Sequence, residues 1–525
     1  MSLDGIPLAM QWEIKRLKVL QKETVTMTPN KTQDVKPGQT IIVDLPYNSK
    51  CDLSTFSWFY DGSTTHAGSN GRGPEGYVQT RFFPRNSASV IQKFTVKVNG
   101  GIKVDIPDYN FVYNMLHDYS QGADALKRRQ TGGENSDPSN KLYITAGDII
   151  ERRGYSLAPF NPAGTGAADN ILARDKGRYC VRSWLSLFGG NSSTQVVDTQ
   201  MLGTVTVEIQ LAPASILMLG AQPTAGAVTD AHNLISKTEV GRGVGVAVAQ
   251  RAAGDVLAAE TADYTLTNLE FRCVRYHMGP EFDAAAANVL GNGAKYKLWF
   301  PNYTVQSGRP VSANNKHTTE RFSISTQSLD YVLGTFRLPG YETPGKPLNT
   351  IFSAQNSLEE GQTIATAEQQ INAGLRRVYN QSRYFAHNGD SIVTTKWRIG
   401  NNTFEPQNID EQYNSLLQHF NIHQDTLSGM HPCINSIGAF REHSYASICS
   451  LNFAEKGSTY IVSGLDTEQT PASIEWIVTS SEYIPAGGLA GDYSITDATN
   501  CLPYLICAYS SHLEIGAGRM VNLIP

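Results

Sequence analysis

Residues 94–119 read FTVKVNGGIKVDIPDYNFVYNMLHDY, and residues 395–420 read TKWRIGNNTFEPQNIDEQYNSLLQHF. In the first stretch Phe94, Val96 and Val98 alternate with Thr95 and Lys97, the period of a strand with one buried face. Thr395, Trp397 and Ile399 alternate with Lys396 and Arg398 in the same way. Each strand runs into a tight-turn signal, Asn99-Gly100-Gly101 or Gly400-Asn401-Asn402. A short extended segment and an amphipathic helix follow. Its apolar stripe is Tyr109, Val112, Tyr113 and Leu116 in the first copy, and Ile409, Tyr413, Leu416, Leu417 and Phe420 in the second. Asp108 is placed to cap the first helix, and Asn408 with Glu411 forms a capping box for the second. At the helix, Tyr113-Asn114-Met115-Leu116 falls 300 residues before Tyr413-Asn414-Ser415-Leu416. A period so long is not that of a solenoid. It predicts a duplicated β-rich unit that carries a helix at the same point.

Outward from these copies, strand patterns recur at sandwich density. QTIIVDLP, DLSTFSWFY, VQTRFF, RYCVRSWLSLF, TVTVEIQLAP and YTLTNLEFRCVRY belong to the first unit. KYKLWFPNY, RFSISTQSLDYVLGTFR, SYASICSLNF, TYIVSGL, ASIEWIVTSS and LPYLICAYSSHLEIGAGRMVNLI belong to the second. Glycine-rich Asp61–Gly76 reads as a loop. Ser120–Lys176 and Gly220–Ala262 read as insertions, and Pro339–Asn388 as a polar connection. Between the units, Pro280, Ala284–Ala287 and Gly291-Asn292-Gly293 spell a short linker helix. Residues 1–22 hold Lys15, Arg16, Lys18 and Lys22 on a basic helix, either an ordinary docked terminus or an arm that reaches a neighbour. The expected domains are an arm at 1–23, a first unit at 24–279 with insertions near 120–176 and 220–262, a linker at 280–293 and a second unit at 294–525 with the connection near 339–388. About eight strands per unit fit an all-β jelly roll, though periodicity alone does not separate it from other sandwich topologies.

Composition narrows the function. Of 525 residues 17% are charged and 46 are Gly, a profile of many strands joined by turns. A net charge of −5 gives no field that would draw the chain onto nucleic acid, so no sequence-specific nucleic-acid binding is expected. Seven scattered cysteines contain no C-x-x-C pair, which argues against a zinc ribbon and a redox motif and for buried thiols. The opening residues lack the apolar core of a secretory signal, no run of about 18 apolar residues would span a bilayer, and Ser2 precludes myristoylation. Gly340–Pro347 nearly spells a phosphate loop. Pro347 stands where Ser or Thr is required, and Pro344 and Pro347 remove backbone donors. His419 and His423 are too few for a zinc site. No nucleophile elbow is present. The chemistry points to a structural or binding protein, not an enzyme, with no catalytic residue, cofactor or metal.

RNSASVIQKFTVKVNG with DYNFVYNML resembles the first-domain signature of double jelly-roll major capsid proteins, particularly those of polinton-like viruses, virophages and related eukaryotic dsDNA viruses. TTERFSISTQSLDYVLGTFR is similar to the opening of their second jelly roll, YTLTNLEFRCVRY to the last strand of the first, and HLEIGAGRMVNL to the closing strand. The resemblance implies two tandem eight-stranded jelly rolls and a homotrimer that forms a pseudo-hexameric capsomer. Such capsomers tile an icosahedral shell around a DNA genome. It implies penton and minor capsid proteins as partners, and an inner membrane or cement protein as the contact of residues 1–23. Localisation would be the virion, assembled in the host cytoplasm or nucleus. Tyr109, Tyr113, Leu116, Tyr413, Leu416 and Phe420 are the helix residues expected at capsomer contacts. Two other readings stay open: a tandem β-sandwich adhesin or carbohydrate-binding protein, and a β-sandwich glycosidase, which would need two carboxylates facing across a cleft.

Overall fold

In a computed structural model of the chain, Val98 pairs directly with Gly101, leaving Asn99 and Gly100 as a two-residue loop. Both loop residues have positive φ, 51° and 78°, as the right-twisted hairpin turn requires. The structure describes residues 21–64, 78–82, 86–120, 176–189, 196–222, 263–310, 317–337, 341, 383–385, 387–388, 392–400, 402–404, 407–408, 449–453, 464–468, 473–480, 502–516 and 520–525.

Among these residues each half of the chain supplies eight strands to one pairing scheme. The first half gives β1 (Gln21–Met27), β2 (Thr40–Asp44), β3 (Lys50–Thr64), β4 (Ile91–Val98), β5 (Gly101–Ile106), β6 (Lys176–Val181), β7 (Val205–Leu211) and β8 (Tyr264–His277). The second gives β9 (Tyr296–Ser307), β10 (His317–Ser323), β11 (Leu329–Arg337), β12 (Ile392–Ile399), β13 (Asn402–Thr403), β14 (Cys449–Asn452), β15 (Ser473–Ser480) and β16 (Leu502–Ile515). In the first half β1 pairs with β8, β2 with β7, β3 with β6 and β4 with β5. This is one long antiparallel ribbon. It is rolled up so that β8 also pairs with β3 and β7 with β4. The second half repeats every step: β9 with β16, β10 with β15, β11 with β14 and β12 with β13, then β16 with β11 and β15 with β12. First strand with last and second with seventh is the jelly roll, a pair of Greek keys in two facing sheets. The repeat seen in sequence is a duplication of the whole roll.

The alternation explains the interiors. Phe94, Val96 and Val98 are buried against Val207 and Ile209 of the neighbouring strand. Phe56, Trp58 and Tyr60 of β3 point the same way, with Trp58 stacked on Phe271 at 5.7 Å. Each such side chain contributes about 1.5–3 kcal/mol through removal from water. In the second roll Trp397 and Ile399 pack with Phe322, Val332, Ile474 and Leu505. Cys51, Cys180, Cys273 and Cys507 are buried among these walls.

Several boundaries move. β1 starts at Gln21, so Lys22 pairs with Tyr276 in a sheet and does not lie on a basic helix. The loop expected from Asp61 begins later: Asp61–Ser63 bond to strands on both sides, and two ladders outweigh local turn chemistry. Gly220–Gln222, expected to open an insertion, continue a strand Met218–Gln222 that pairs with Val78–Phe82. The linker helix forms as α2, Pro280–Gly291, with Pro in its first turn. The helix of the first repeat is α1, Tyr109–Ser120. The Asp108 carboxylate does not cap it. The Asp108 carbonyl accepts the N–H groups of Phe111 and Val112, and the carboxylate is engaged elsewhere.

Candidate functional site

The site is the joint between the rolls, and its signature is the run from Pro503 to Ala508, PYLICA in β16. Every one of these residues is buried. A strand with one wet face would alternate; a continuous buried run marks a sheet covered on both faces. Leu505 and Cys507 point into the second roll's own core. Tyr504, Ile506 and Ala508 point the other way, and with Leu333 of β11 and Tyr303 of β9 they join the apolar cluster of the first roll. The outer face of this sheet is therefore buried within the chain. Against it the first roll sets the start of α1, where the Phe111 ring meets Tyr504 edge-on at 5.1 Å. Nearby, Lys103 of β5 donates to the Val521 carbonyl across the joint at 2.8 Å.

A charged knot sits in this apolar contact. Arg337, the last residue of β11, is fully buried. Its guanidinium lies 3.5 Å from the Tyr341 ring centre, 4.4 Å from Phe111, 4.8 Å from Tyr384 and 5.4 Å from Tyr504. Nη1 stands 3.2 Å from Asp108 Oδ2. Nη2 donates to the Tyr384 carbonyl at 3.4 Å. Asp108, held at φ 47°, also accepts from Gln92 Nε2 at 2.7 Å and from the Tyr504 hydroxyl. The Tyr384 hydroxyl donates to Gln92 Oε1 and closes the ring. Gln92 and Asp108 belong to the first roll, and Arg337, Tyr384 and Tyr504 to the second. A buried cation needs a counter-charge and π faces in place of water, and each roll supplies part of them. Burial alone would pull the Arg337 pKa down; Tyr504, Tyr384, Asp108 and Tyr341 around it hold it above its ordinary value. Burial pushes the Tyr504 and Tyr384 hydroxyls up, so both stay protonated donors.

Three of the six residues expected at capsomer contacts fall among the described residues. Tyr109, Tyr113 and Leu116 are buried inside the first roll. The Tyr109 ring packs on Phe94 at 5.3 Å, and its hydroxyl accepts the Leu185 N–H. Their side chains are used within the chain, so the first copy of the helix stripe is a core feature. Tyr413, Leu416 and Phe420 lie outside the described residues, as do Glu411 of the second capping box, His419 and His423. Asn114 of the shared Tyr-Asn-x-Leu is an internal tie, its Nδ2 donating to Ser89 Oγ at 3.0 Å and to the Asn110 carbonyl at 2.9 Å. Sequence reasoning missed Arg337, Tyr384 and Tyr504. The unbroken LPYLICA run was the available signal for the joint, and the connection read as polar carries two of its aromatics, Tyr341 and Tyr384. Among the described residues no group of three or more His, Cys, Asp or Glu is placed to hold a metal, and no helix is long and apolar enough to cross a membrane.

Two jelly rolls in tandem, rolled by one scheme and tied through a buried joint, make this chain a double jelly roll. Among solved structures it is similar to the PBCV-1 virus capsid (quasi-atomic model), with 12% identity, 96% of each chain covered and a TM-score of 0.52. It is also similar to PBCV-1 VP54 fitted into a reconstruction of the virophage Sputnik, with 10% identity, 96% of each chain and 0.51. At these identities the likeness is one of fold. No protein-family profile matches the sequence, and no curated protein matches it.

Proposed function

We propose that this chain is a major capsid protein that assembles as a homotrimer and tiles an icosahedral shell around a DNA genome. The observation that carries the reading is the duplication itself, extended over the same span as a virus capsid structure. One chain brings two rolls of the same topology and fixes their mutual orientation through an apolar joint. Three copies that repeat this relation present six rolls around one axis, a nearly hexagonal tile that packs on a curved lattice. Work of this kind needs a rigid body with self-complementary edges, not a reactive centre, and we assign the chain no catalysis, cofactor or metal. Penton and minor capsid proteins would fill the vertices and seams, and the residues ahead of β1, 1–20, would reach an inner membrane or cement protein. The protein would reside in the virion after assembly in the host cell. Light scattering on the purified full chain tests the reading: a stable species of three times 57.4 kDa is expected. A monomer at all concentrations would remove it and favour the adhesin reading.

A further inference from the structure

Three parts of the chain meet at a cleft of about 190 Å³. The first roll contributes Asp198, Gln200 and Met201, the second contributes Gly516 just past β16, and the linker helix α2 forms the remaining wall. α2 turns Asp283, Ala286, Ala287 and Leu290 to the cleft. Their spacing of i, i+3, i+4 and i+7 is one stripe of a helix, roughly 10 Å long. With Met201, the two alanines and Leu290 make the middle of the cleft apolar, and the alanines are too small to fill it. One end is charged. Lys50, at the start of β3, is buried with Nζ 2.6 Å from Asp283 Oδ1 and 3.5 Å from Asp198 Oδ2. One cation thus answers two carboxylates, and the triad keeps one negative charge in excess. The Asp198 side chain is only 9% exposed; one of its oxygens accepts the Gln200 N–H, while Oδ2 accepts no hydrogen bond from a described residue. The other end is the C-terminus of α2, whose last turn holds no basic residue to meet the negative end of the helix dipole. A carboxylate with a spare acceptor, an apolar trough and a negative helix end therefore follow one another along the stripe.

From this order we infer that the cleft binds a linear aliphatic polyamine. One end ammonium sits on Asp198 and Asp283, the methylenes lie along Ala286, Ala287 and Leu290, and a second ammonium reaches the C-terminal end of α2. The alternatives fit less of the site. A phosphate or carboxylate would meet the excess negative charge of the triad. A purely apolar molecule would leave Asp198 Oδ2 without a donor and cover it from water. A divalent cation would find two carboxylates already shared with Lys50 and would not use the apolar trough. A lysine side chain from another protein carries one ammonium and serves one end. The inference goes beyond the function proposed above and does not rest on it, since the whole site lies within one chain. Its consequence is mechanical: the walls come from both rolls and the linker, so an occupant braces α2 against the two bodies it connects and stabilises that arrangement by mass action.

The test is isothermal titration calorimetry of the full chain with spermidine, putrescine and butylamine, with circular dichroism as the check of folding. Spermidine is expected to bind at one site per chain. Putrescine, too short to serve both ends, should bind at least about tenfold more weakly, and butylamine more weakly still. Ala287→Leu, which fills the trough from an exposed helix position, should abolish spermidine binding in a folded chain. Asp283→Asn, at a side chain 48% exposed, removes the excess charge and should weaken it at least about tenfold. No heat with spermidine at millimolar concentration overturns the inference. Equal binding by the parent and a folded Ala287→Leu chain would be general attraction to an acidic protein and overturns the site. Butylamine binding as tightly as spermidine marks a site for one ammonium and overturns the polyamine. Should Ala287→Leu not fold, Asp283→Asn decides the matter by the same criterion.

Discussion

Replacing Arg337 by alanine is the sharpest probe of the joint. The side chain is fully buried, has four aromatic rings within 5.4 Å and has its counter-charge at 3.2 Å on the other roll. Removing one partner of a buried pair costs about 3–5 kcal/mol. A desolvated cation over aromatic faces is worth about 2 kcal/mol, already part of that figure and not an addition to it. Asp108 softens the loss, because its side chain is 20% exposed and keeps its hydrogen bonds from Gln92 and Tyr504. We therefore expect Arg337→Ala to destabilise by about 3 kcal/mol. The assay is urea unfolding followed by tryptophan fluorescence, analysed as the first transition because two rolls need not unfold together. Arg337→Lys should recover only part of the loss, since a compact ammonium neither stacks on Tyr341 nor spans Asp108 and the Tyr384 carbonyl together. In a double-mutant cycle Arg337→Ala and Asp108→Asn should couple by about 1 kcal/mol or more. A cost under about 1 kcal/mol for Arg337→Ala, or no coupling to Asp108, would refute the view that this knot fastens the rolls.

Two further outcomes follow from local geometry. Gly203 has φ 86°, and an added Cβ would collide with the Asn99 side chain, which accepts from Thr204 N–H and donates to the Leu202 carbonyl. Gly203→Ala should cost about 1–3 kcal/mol by urea unfolding, whereas Gly291→Ala, which meets open space at a helix end, should be near neutral. His512 is buried against Trp299 at 4.1 Å, and burial, then Lys297, holds its pKa below 6.5. A histidine depressed in the folded state contributes stability above its unfolded pKa, and that contribution is lost as pH falls through the window below 6.5. The unfolding midpoint should therefore drop on acidification below that point more in the parent than in His512→Phe; equal slopes would remove His512 from the account.

The parts of the fold legible in sequence are those where local chemistry and tertiary packing agree. Asn99-Gly100 demands positive φ and takes it, and Trp397 and Ile399 alternate into a core. Pro280 and the alanines after it make the helix between the rolls. Tertiary contact decided the rest. Asp61–Ser63 carry turn residues, yet both neighbouring strands bond to them. Asp108 stands in a capping position, yet its carboxylate is drawn to Arg337 and Tyr504, which arrive from the far half of the chain. The Tyr109–Leu116 stripe was legible as apolar, but which apolar surface it meets is not a property of its spacing. The joint was half visible: LPYLICA is too continuous for a sheet with one wet face, while Arg337 in the same sheet looks in sequence like an ordinary strand-end arginine.

Electron microscopy of the purified full chain reads out whether two equivalent rolls per chain build the nearly sixfold tile proposed above. Class averages with threefold symmetry and six lobes alternating between two kinds are expected, matching three chains of two rolls each. Isolated two-lobed particles, or an oligomer whose lobes do not ring a common axis, would contradict it.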